Sequence, residues 1–369
     1  MAAIRVCEGT TSIAVPVPDD GGAGSVFYNP RMEINRDATV LFVSCTGPSD
    51  YLDAMGASGI RGIRIASECG LPVTINDRSR NAAALIRKNA ADAGVEVDVT
   101  CMDANALASA RRFDAVDLDP FGSPAPFIDS GIRSARRFLY VTATDTAPLC
   151  GAHLPAGMRR YFARPRNTEY HGEVGLRVLL GFIARETVKY DRGLEPLFCF
   201  TREHFVRAHL RLTSGAAAAD RTLDHIGYIH QCPVCPFRME EGGLLPDTHT
   251  CPDCDTTLIP VGPLWLGAVN DPALLVQMAA RLPGMDLGTH RPLARLLDLL
   301  GGELPTASHY DYHVLAKRLG VSPVKIDDLI ASLLKEGYDA GRVHYSGTGL
   351  KTDAPLDILC GLVRRESPR

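Results

Sequence analysis

The sequence predicts a doubly wound α/β sheet followed by a smaller α+β part. Three observations carry this. From Tyr51 to Thr144, β-branched and aromatic runs alternate with helical patterns rich in Ala, Ile and Leu, the order of successive parallel strands and crossover helices. Acids stand where these runs stop, at Asp77, Asp103, Asp119 and Asp145, as expected of an open sheet that binds ligands outside the carboxyl ends of its strands. Two Cys-x-x-Cys pairs lie beyond, Cys232 with Cys235 and Cys251 with Cys254, and mark a separate small part.

A chain of 369 residues has room for two or three domains. Its net charge of -4 excludes a global attraction to nucleic acid, so any such binding must come from local basic patches. No apolar run approaches the roughly 20 residues needed to span a bilayer. The N-terminal MAAIRVCEGT lacks the charged-then-apolar layout of a signal peptide. A cytoplasmic protein with no membrane association and no obligate protein partner is expected. Of 11 cysteines, seven are scattered and four are clustered, which fits a reducing compartment and one metal site rather than a disulfide framework.

Taken in order, Ile4 to Val17 reads as an early strand or hairpin. VFYNPRMEINRD follows, with Phe27, Tyr28, Arg31 and Arg36 able to stack on or neutralise a ligand. Val40 to Val43 reads as a short strand and Tyr51 to Met55 as another. The second runs into GASGIRGIRIASECG, where Gly56, Gly59 and Gly62 precede a helix, and such glycines let a cofactor approach a helix N-terminus. Val73 to Asn76 is a strand ending at Asp77, about 20 residues past the glycines, where nucleotide-binding folds place a ribose-binding acid. A helix from Arg78 to Ala93 and a strand from Val95 to Cys101 come next, leaving Asp103 at the strand's carboxyl end to meet an adenine amino group. Phe138 to Thr144 is the fifth strand, after the fourth in VDLDPFGSP.

The stretch Val116 to Pro124 has the shape of a motif that holds the exocyclic amino group of a base. Asp119 can accept from the amino N–H, as can a carbonyl fixed by Pro120. Phe121 offers a face for a planar ring, and Gly122 lets the backbone turn away. A dinucleotide or S-adenosylmethionine fits the glycines and the ribose acid. The amino-group clamp favours the methyl donor, because hydride transfer has no use for it. Asp117 shares the strand face of Asp119 by the two-residue period and is expected behind it. His171 and Glu173 are read as helix-cap or pocket residues and left out of the catalytic set.

Gly193 to Pro196 reads as a boundary. HFVRAHLRL then alternates, with Arg207, His209 and Arg211 on the face opposite Val206, Ala208 and Leu210, a basic stripe facing solvent or phosphate. Ala216 to Ala219 reads as a loop. The two cysteine pairs, about fifteen residues apart, match a four-thiolate zinc ribbon over residues 228–262. Four thiolates leave no position for water, so Zn2+ held by Cys232, Cys235, Cys251 and Cys254 is structural. His249 is read as a surface residue. Leu293 to Leu300, Tyr310 to Leu319 and VSPVKIDDLIASLLKEG have helical spacing, and RVHYSGTGLKTDAP is expected to form a wing exposing Arg342, His344, Tyr345 and Lys351, so that 271–369 resembles a winged-helix module.

DAMGASGIRGIR, YNPRMEINRD, DLDPFGSP, YHGEVGLRVLL and the paired cysteines together resemble the tRNA (guanine(26)-N(2))-dimethyltransferases, from about Ile4 to near the C-terminus. The compact length resembles archaeal members. The resemblance implies a Rossmann-like class I methyltransferase sheet over residues 1–195 and a C-terminal α+β tRNA-binding domain over 196–369. It implies methyl transfer from S-adenosyl-L-methionine to the N2 of a tRNA guanine. Carried over by motif, Arg36, Arg61, Asp77, Asp103 and Ala104 contact the donor, together with Phe27 and Gly56 from the readings above. Asp119 is the catalytic carboxylate, and Phe121 lies beside the base. The alternatives are an adenine amino-group methyltransferase on DNA or another RNA, and a non-catalytic zinc-ribbon RNA-binding protein.

Overall fold

A computed structural model of the chain describes residues 3–16 and 26–366; Val17, the end of the expected hairpin, lies outside them. β1 (Ala3–Glu8) and β2 (Thr11–Pro16) pair antiparallel as that hairpin. α1 (Glu33–Thr46) follows, and Val40 to Val43, expected as a strand, lie inside it. Every residue from Ile34 to Val43 is buried, so no polar face exposes the 3.6-residue period, and an apolar run of this length reads equally as strand. The same helix buries Asn35, Arg36, Asp37 and Thr39, which later become partners in the site.

Five parallel strands come next with their crossovers: β3 (Tyr51–Asp53), α2 (Ile60–Cys69), β4 (Val73–Asn76), α3 (Arg80–Asp92), β5 (Asp98–Thr100), α4 (Ala104–Ala110), β6 (Phe113–Leu118), α5 (Ala125–Ser134) and β7 (Ala135–Ala143). Ser79 caps α3 by accepting from Ala82 N, and Asp103 caps α4 by accepting from Ala106 N. The strands are neighbours in the order β5-β4-β3-β6-β7, with Leu52 opposite Thr74 on one side and Val116 on the other. The chain builds outward from β3 to β5 and then returns to β3's other side. The reversal between β3 and β6 is the switch point, where an open α/β sheet leaves a crevice at the strands' carboxyl ends.

The chain continues with α6 (Thr146–Leu149), α7 (Leu154–Tyr161), α8 (His171–Val188), β8 (Arg192–Arg202), β9 (Phe205–Ser214) and α9 (Ala216–Leu223). Gly193 to Pro196 are thus part of β8 rather than a linker, and the alanine run opens a helix rather than a loop, as alanine's helix propensity favours. β9 lies beside β7 in the large sheet. Phe205 to Leu210 are all buried, including Arg207 and His209, so the expected basic stripe is not a surface. Both faces are covered there, and Arg207 and His209 have internal partners instead of solvent, whereas Arg211 is exposed.

β10 (Ile226–Gln231), β11 (Arg238–Gly242) and β12 (Ile259–Trp265) form a three-stranded antiparallel sheet carrying the cysteine pairs. After α10 (Pro272–Arg281) and α11 (His290–Gly301) come β13 (Tyr310–Asp311), α12 (Tyr312–Leu319), α13 (Ile326–Lys335), β14 (Ala340–Arg342), β15 (Gly349–Thr352) and α14 (Leu356–Glu366). Asp311 caps α12 by accepting from His313 and Val314 N. Leu315, Leu329, Leu333, Leu350, Leu359 and Val363 share one core there. The expected wing is the β14–β15 hairpin, but it does not expose all four named side chains. His344 and Lys351 are each 1% exposed, drawn inward by Glu303 and Glu173, and the Tyr345 hydroxyl is buried.

By compactness the chain forms two units. One comprises Met1–Ala143, Arg207–Thr213 and Pro272–Leu297, the other Thr144–Val206, Ser214–Asp271 and Asp298–Arg369. No helix among the described residues is long and apolar enough to cross a membrane.

Candidate active site

At the switch point of the first unit, three carboxyls and two guanidiniums share a mostly buried cluster. Asp53 ends β3, Asp117 lies on β6 and Asp119 follows it, with Arg61 from the first turn of α2 and Arg207 from β9. Arg61 donates from Nη2 to Asp119 and from Nη1 to Asn35 Oδ1 at 2.9 Å and Thr39 Oγ1 at 3.1 Å. Its Nη1 also lies 3.6 Å from Asp117. Asp117 accepts from both Arg207 terminal nitrogens and, at 2.5 Å, from the Tyr51 hydroxyl. Arg207 further donates to Thr142 and Thr39, at 2.9 Å each.

The charges explain the protonation pattern. Burial alone would push Asp117 up, yet the charges of Arg207 and Arg61 outweigh it and hold the carboxyl well below the ordinary range. Asp53 goes the other way, raised to about 7 by burial against the attraction of Arg61, with Asp117 and Asp119 adding repulsion. Two guanidiniums balance two carboxylates, and Asp53 is the third acid, the one that gains from keeping its proton. It accepts from Gly62 N at 3.1 Å.

Asp119 stands at the mouth, its side chain 22% exposed. Gly122 has φ +77° and turns the chain away behind it. Phe121 is 73% exposed and Phe27 48% exposed. Their rings meet edge to face, centroids 4.5 Å apart, a geometry favoured by the ring quadrupoles. Large apolar rings left open beside a carboxylate make a stacking surface for a planar, hydrogen-bonding ligand. Arg36 braces the segment bearing Phe27. It bonds Glu8 through Nε at 2.7 Å and Nη2 at 2.5 Å, donates to Asn29 O at 3.0 Å, and lies under the Tyr28 ring.

The glycine turn and Asp77, the acid expected to bind a ribose, lie together. Asp77 accepts from Ala57 N at 3.0 Å and Ser79 N at 2.8 Å, fastening the turn to the end of β4. Gly56 donates to Asn76 O at 2.7 Å. A side chain at Gly56 would strike Ile75, and one at Gly62 would come within 2.6 Å of the same residue. Gly56 therefore lets the turn, and Gly62 the helix, pack closely on β4, a use the sequence reading did not assign. Asp103 is exposed and Ala104 is buried at the start of α4.

Asn76, fully buried, laces three strand ends together. Its Nδ2 reaches Ala54 O and Met102 O, both at 3.1 Å, while its Oδ1 accepts from Met102 N and Thr100 Oγ1. Asn76, Asp53 and Arg207 were all missed as site residues. For Asp53 the signal was present, since it ends a strand as Asp77 does; for Arg207 the period-two pattern pointed outward.

In the second unit, the four cysteines converge. Sγ separations are 3.5 Å for Cys232 to Cys254, 3.4 Å for Cys235 to Cys251 and 3.9 Å for Cys235 to Cys254. A tetrahedron with Zn–S of about 2.3 Å has S···S edges of about 3.8 Å, so the donor set fits that ion. Val234 N and Cys235 N both point at Cys232 Sγ from 3.4 Å, donors suited to a thiolate. His249 stands apart from this set, bonded to Glu241 at 3.2 Å.

The model of the N2,N2-dimethylguanosine tRNA methyltransferase family matches residues 9–364. A tRNA (guanine(26)-N(2))-dimethyltransferase of Methanoregula boonei is 60% identical over 369 residues, 99% of each chain. The enzyme of the same name from Methanosphaerula palustris is 60% identical over 97% of this chain and 98% of its own. Among solved structures, Trm1 from Pyrococcus horikoshii, in complex with S-adenosyl-L-methionine, superposes with a TM-score of 0.90 at 37% identity, covering 98% of this chain and 99% of its own.

Proposed function

The chain belongs to the N2,N2-dimethylguanosine tRNA methyltransferase family, and from that premise we propose that Asp119 receives the guanine amino group at the mouth of the Arg61 cluster. The enzyme is an S-adenosyl-L-methionine-dependent tRNA (guanine(26)-N(2))-dimethyltransferase. The observation that carries the proposed site is the Arg61–Asp119 pair beside the open rings of Phe27 and Phe121.

When bound, S-adenosyl-L-methionine supplies an electrophilic methyl group. The residues proposed to hold it are Arg36, Arg61, Asp77, Asp103, Ala104, Phe27 and Gly56. Asp77 and Asp103 suit hydroxyl and amino donors of a nucleoside. Phe121, with the Phe27 ring edge-on against it, holds the base, which must leave its stack at a cost of about a few kcal/mol. Guanine N2 is a poor nucleophile because its lone pair is delocalised into the ring, and its protons become acidic as it attacks. Asp119, its direction set by Arg61, accepts one of them and thereby stabilises the transition state more than the ground state. The small Gly122 and Ser123 leave room for the monomethyl product to react again.

Residues 1–195 carry the donor and the chemistry, joined by Arg207 from β9, and the rest of 196–369 contributes to tRNA binding, with the helix, helix and hairpin of 312–352 as a winged-helix-like module. Zinc in the four-cysteine ribbon is structural, since four thiolates complete its shell.

Mass spectrometry of nucleosides after incubation with tRNA and labelled donor tests this. Wild type yields N2-methylguanosine and N2,N2-dimethylguanosine, and Asp119→Asn loses turnover by about 100-fold or more while still binding donor. Methyladenosine as the product, or undiminished turnover in Asp119→Asn, overturns it.

A further inference from the structure

Phe162, immediately after α7 in the second unit, is 66% exposed and has φ +47°. Left-handed backbone is uncommon for a bulky residue and persists where surrounding contacts impose it. Here they do. Arg185 donates from Nη1 to Phe162 O at 3.2 Å and from Nη2 to Tyr161 O at 2.8 Å. Two residues on, Arg164 N bonds Gly262 O at 2.6 Å. Tyr161 points inward, fully buried, with its hydroxyl 2.6 Å from Asp145. The Phe162 ring instead lies outside, stacked at 25° on Phe182 with centroids 6.5 Å apart. The turn holds an aromatic face outward against the residue's own backbone preference.

The surroundings are basic in a chain whose net charge is -4. Residues 154–170 contain Arg159, Arg160, Arg164 and Arg166 against a single acid, Glu169, which Arg238 engages at 3.1 Å. Arg159, Arg160 and Arg164 are exposed, and Arg160 also neutralises Asp145 at 2.9 Å. An open ring among cations of one sign suits a polyanion with planar bases.

We propose that Phe162, with Arg159 and Arg164, is a stacking platform for an unpaired base of tRNA, the guanidiniums taking the adjoining phosphates. The inference rests on the substrate assignment above and adds to it a contact made by the second unit. Binding is measured without turnover, so the two can fail separately.

The full-length protein is titrated with unmodified tRNA, and methylation is measured in parallel. Phe162→Leu keeps an apolar side chain but no π face, and weakens tRNA binding by about tenfold, whereas Phe162→Trp retains it. Phe162→Asn weakens binding equally while raising the melting temperature, because Asn tolerates left-handed backbone; a residue with only a structural role would lose both together. Arg159→Ala with Arg164→Ala lowers the slope of log K against log salt by about 1.5 to 2. In all of them the loss is read in Kd and KM for tRNA. Wild-type tRNA affinity in Phe162→Leu and Phe162→Asn, or an altered oligomeric state in place of altered affinity, overturns the platform even if the wild type makes dimethylguanosine. A wild type that makes no methylguanosine sinks the enzymatic reading alone.

Discussion

Arg207 faces Asp117 through two hydrogen bonds, Nη1 to Oδ1 at 2.8 Å and Nη2 to Oδ2 at 2.6 Å, and neither side chain reaches solvent. Asp117 in turn lies 3.6 Å from Arg61, which holds Asp119. A charge chain thus runs from the interior of the sheet to the carboxylate at its mouth, and the position of the proposed proton acceptor depends on a pair it does not touch.

Arg207→Met leaves Asp117 buried without its main counter-charge and is expected to destabilise the protein by about 3–5 kcal/mol, read by chemical denaturation. Because the folded state holds Asp117 well below its ordinary range, its contribution is present above about pH 4 and is lost as the pH falls further. Asp117→Asn should flatten the acid limb of the stability curve. A loss under about 1 kcal/mol for Arg207→Met would mean that the pair is replaceable.

Asp53 gives the opposite slope. Its folded value is raised to about 7 from about 3.9 when unfolded. Its contribution is therefore full below about pH 4 and declines as the pH rises towards 7. Asp53→Asn, which can still accept from Gly62 N, should gain on wild type by at least ~1 kcal/mol between pH 5 and pH 8. An unchanged difference at the two pH values would show that Asp53 is ionised throughout.

Truncating Phe121 or Phe27 to Ala removes surface that is already open, so melting temperatures should move little. Loss of base stacking, about 1–3 kcal/mol per base, should lower kcat/KM for tRNA by about ten- to a hundredfold, with donor affinity changed less for Phe121 than for Phe27. If Phe121→Ala turns over tRNA as wild type does, the ring is not a base platform.

Metal analysis of the purified protein should find one zinc per chain, and Cys251→Ser should hold none. A filled four-thiolate site contributes directly to folding, so the variant, or wild type treated with a strong chelator, should melt earlier while still binding donor. Metal-free wild type with an unchanged melting temperature would remove zinc from the account.

Glu173 is fully buried and accepts from Arg177 at 2.9 Å, Lys351 at 2.7 Å and His309 at 2.8 Å. Burial opposes its charge, but Lys351 and Arg177 outweigh it and hold the carboxyl well below its usual value. Glu173→Gln strands two cations and should cost about 3–5 kcal/mol. Adding Lys351→Met should recover part of that, a coupling measurable by a double-mutant cycle. Strict additivity of the two losses would show that the pair is not coupled.

Much of this molecule was legible one residue at a time. Val73 to Asn76 became a strand at the expected residues, because a short β-branched run between turn residues has few other uses. The DPFG stretch projected its acid and ring outward because proline and glycine end the strand there. Val40 to Val43 failed because full burial erases the periodicity that separates helix from strand. Arg207 and His209 failed because alternation records which residues share a face and not whether that face meets water.

By itself the sequence determined the alternation of strand and helix from Tyr51 to Thr144, the four thiolates, the acids after four of the five parallel strands and the family. Each of these rests on neighbours a few residues apart, where backbone geometry is set locally. Tertiary structure alone decided which charges are buried together. Asp117 and Arg207 are 90 positions apart, and Glu173 and Lys351 are 178 apart. An ion is tolerated in the interior only when its partner arrives from a distant element with matching geometry, and no local pattern records that meeting.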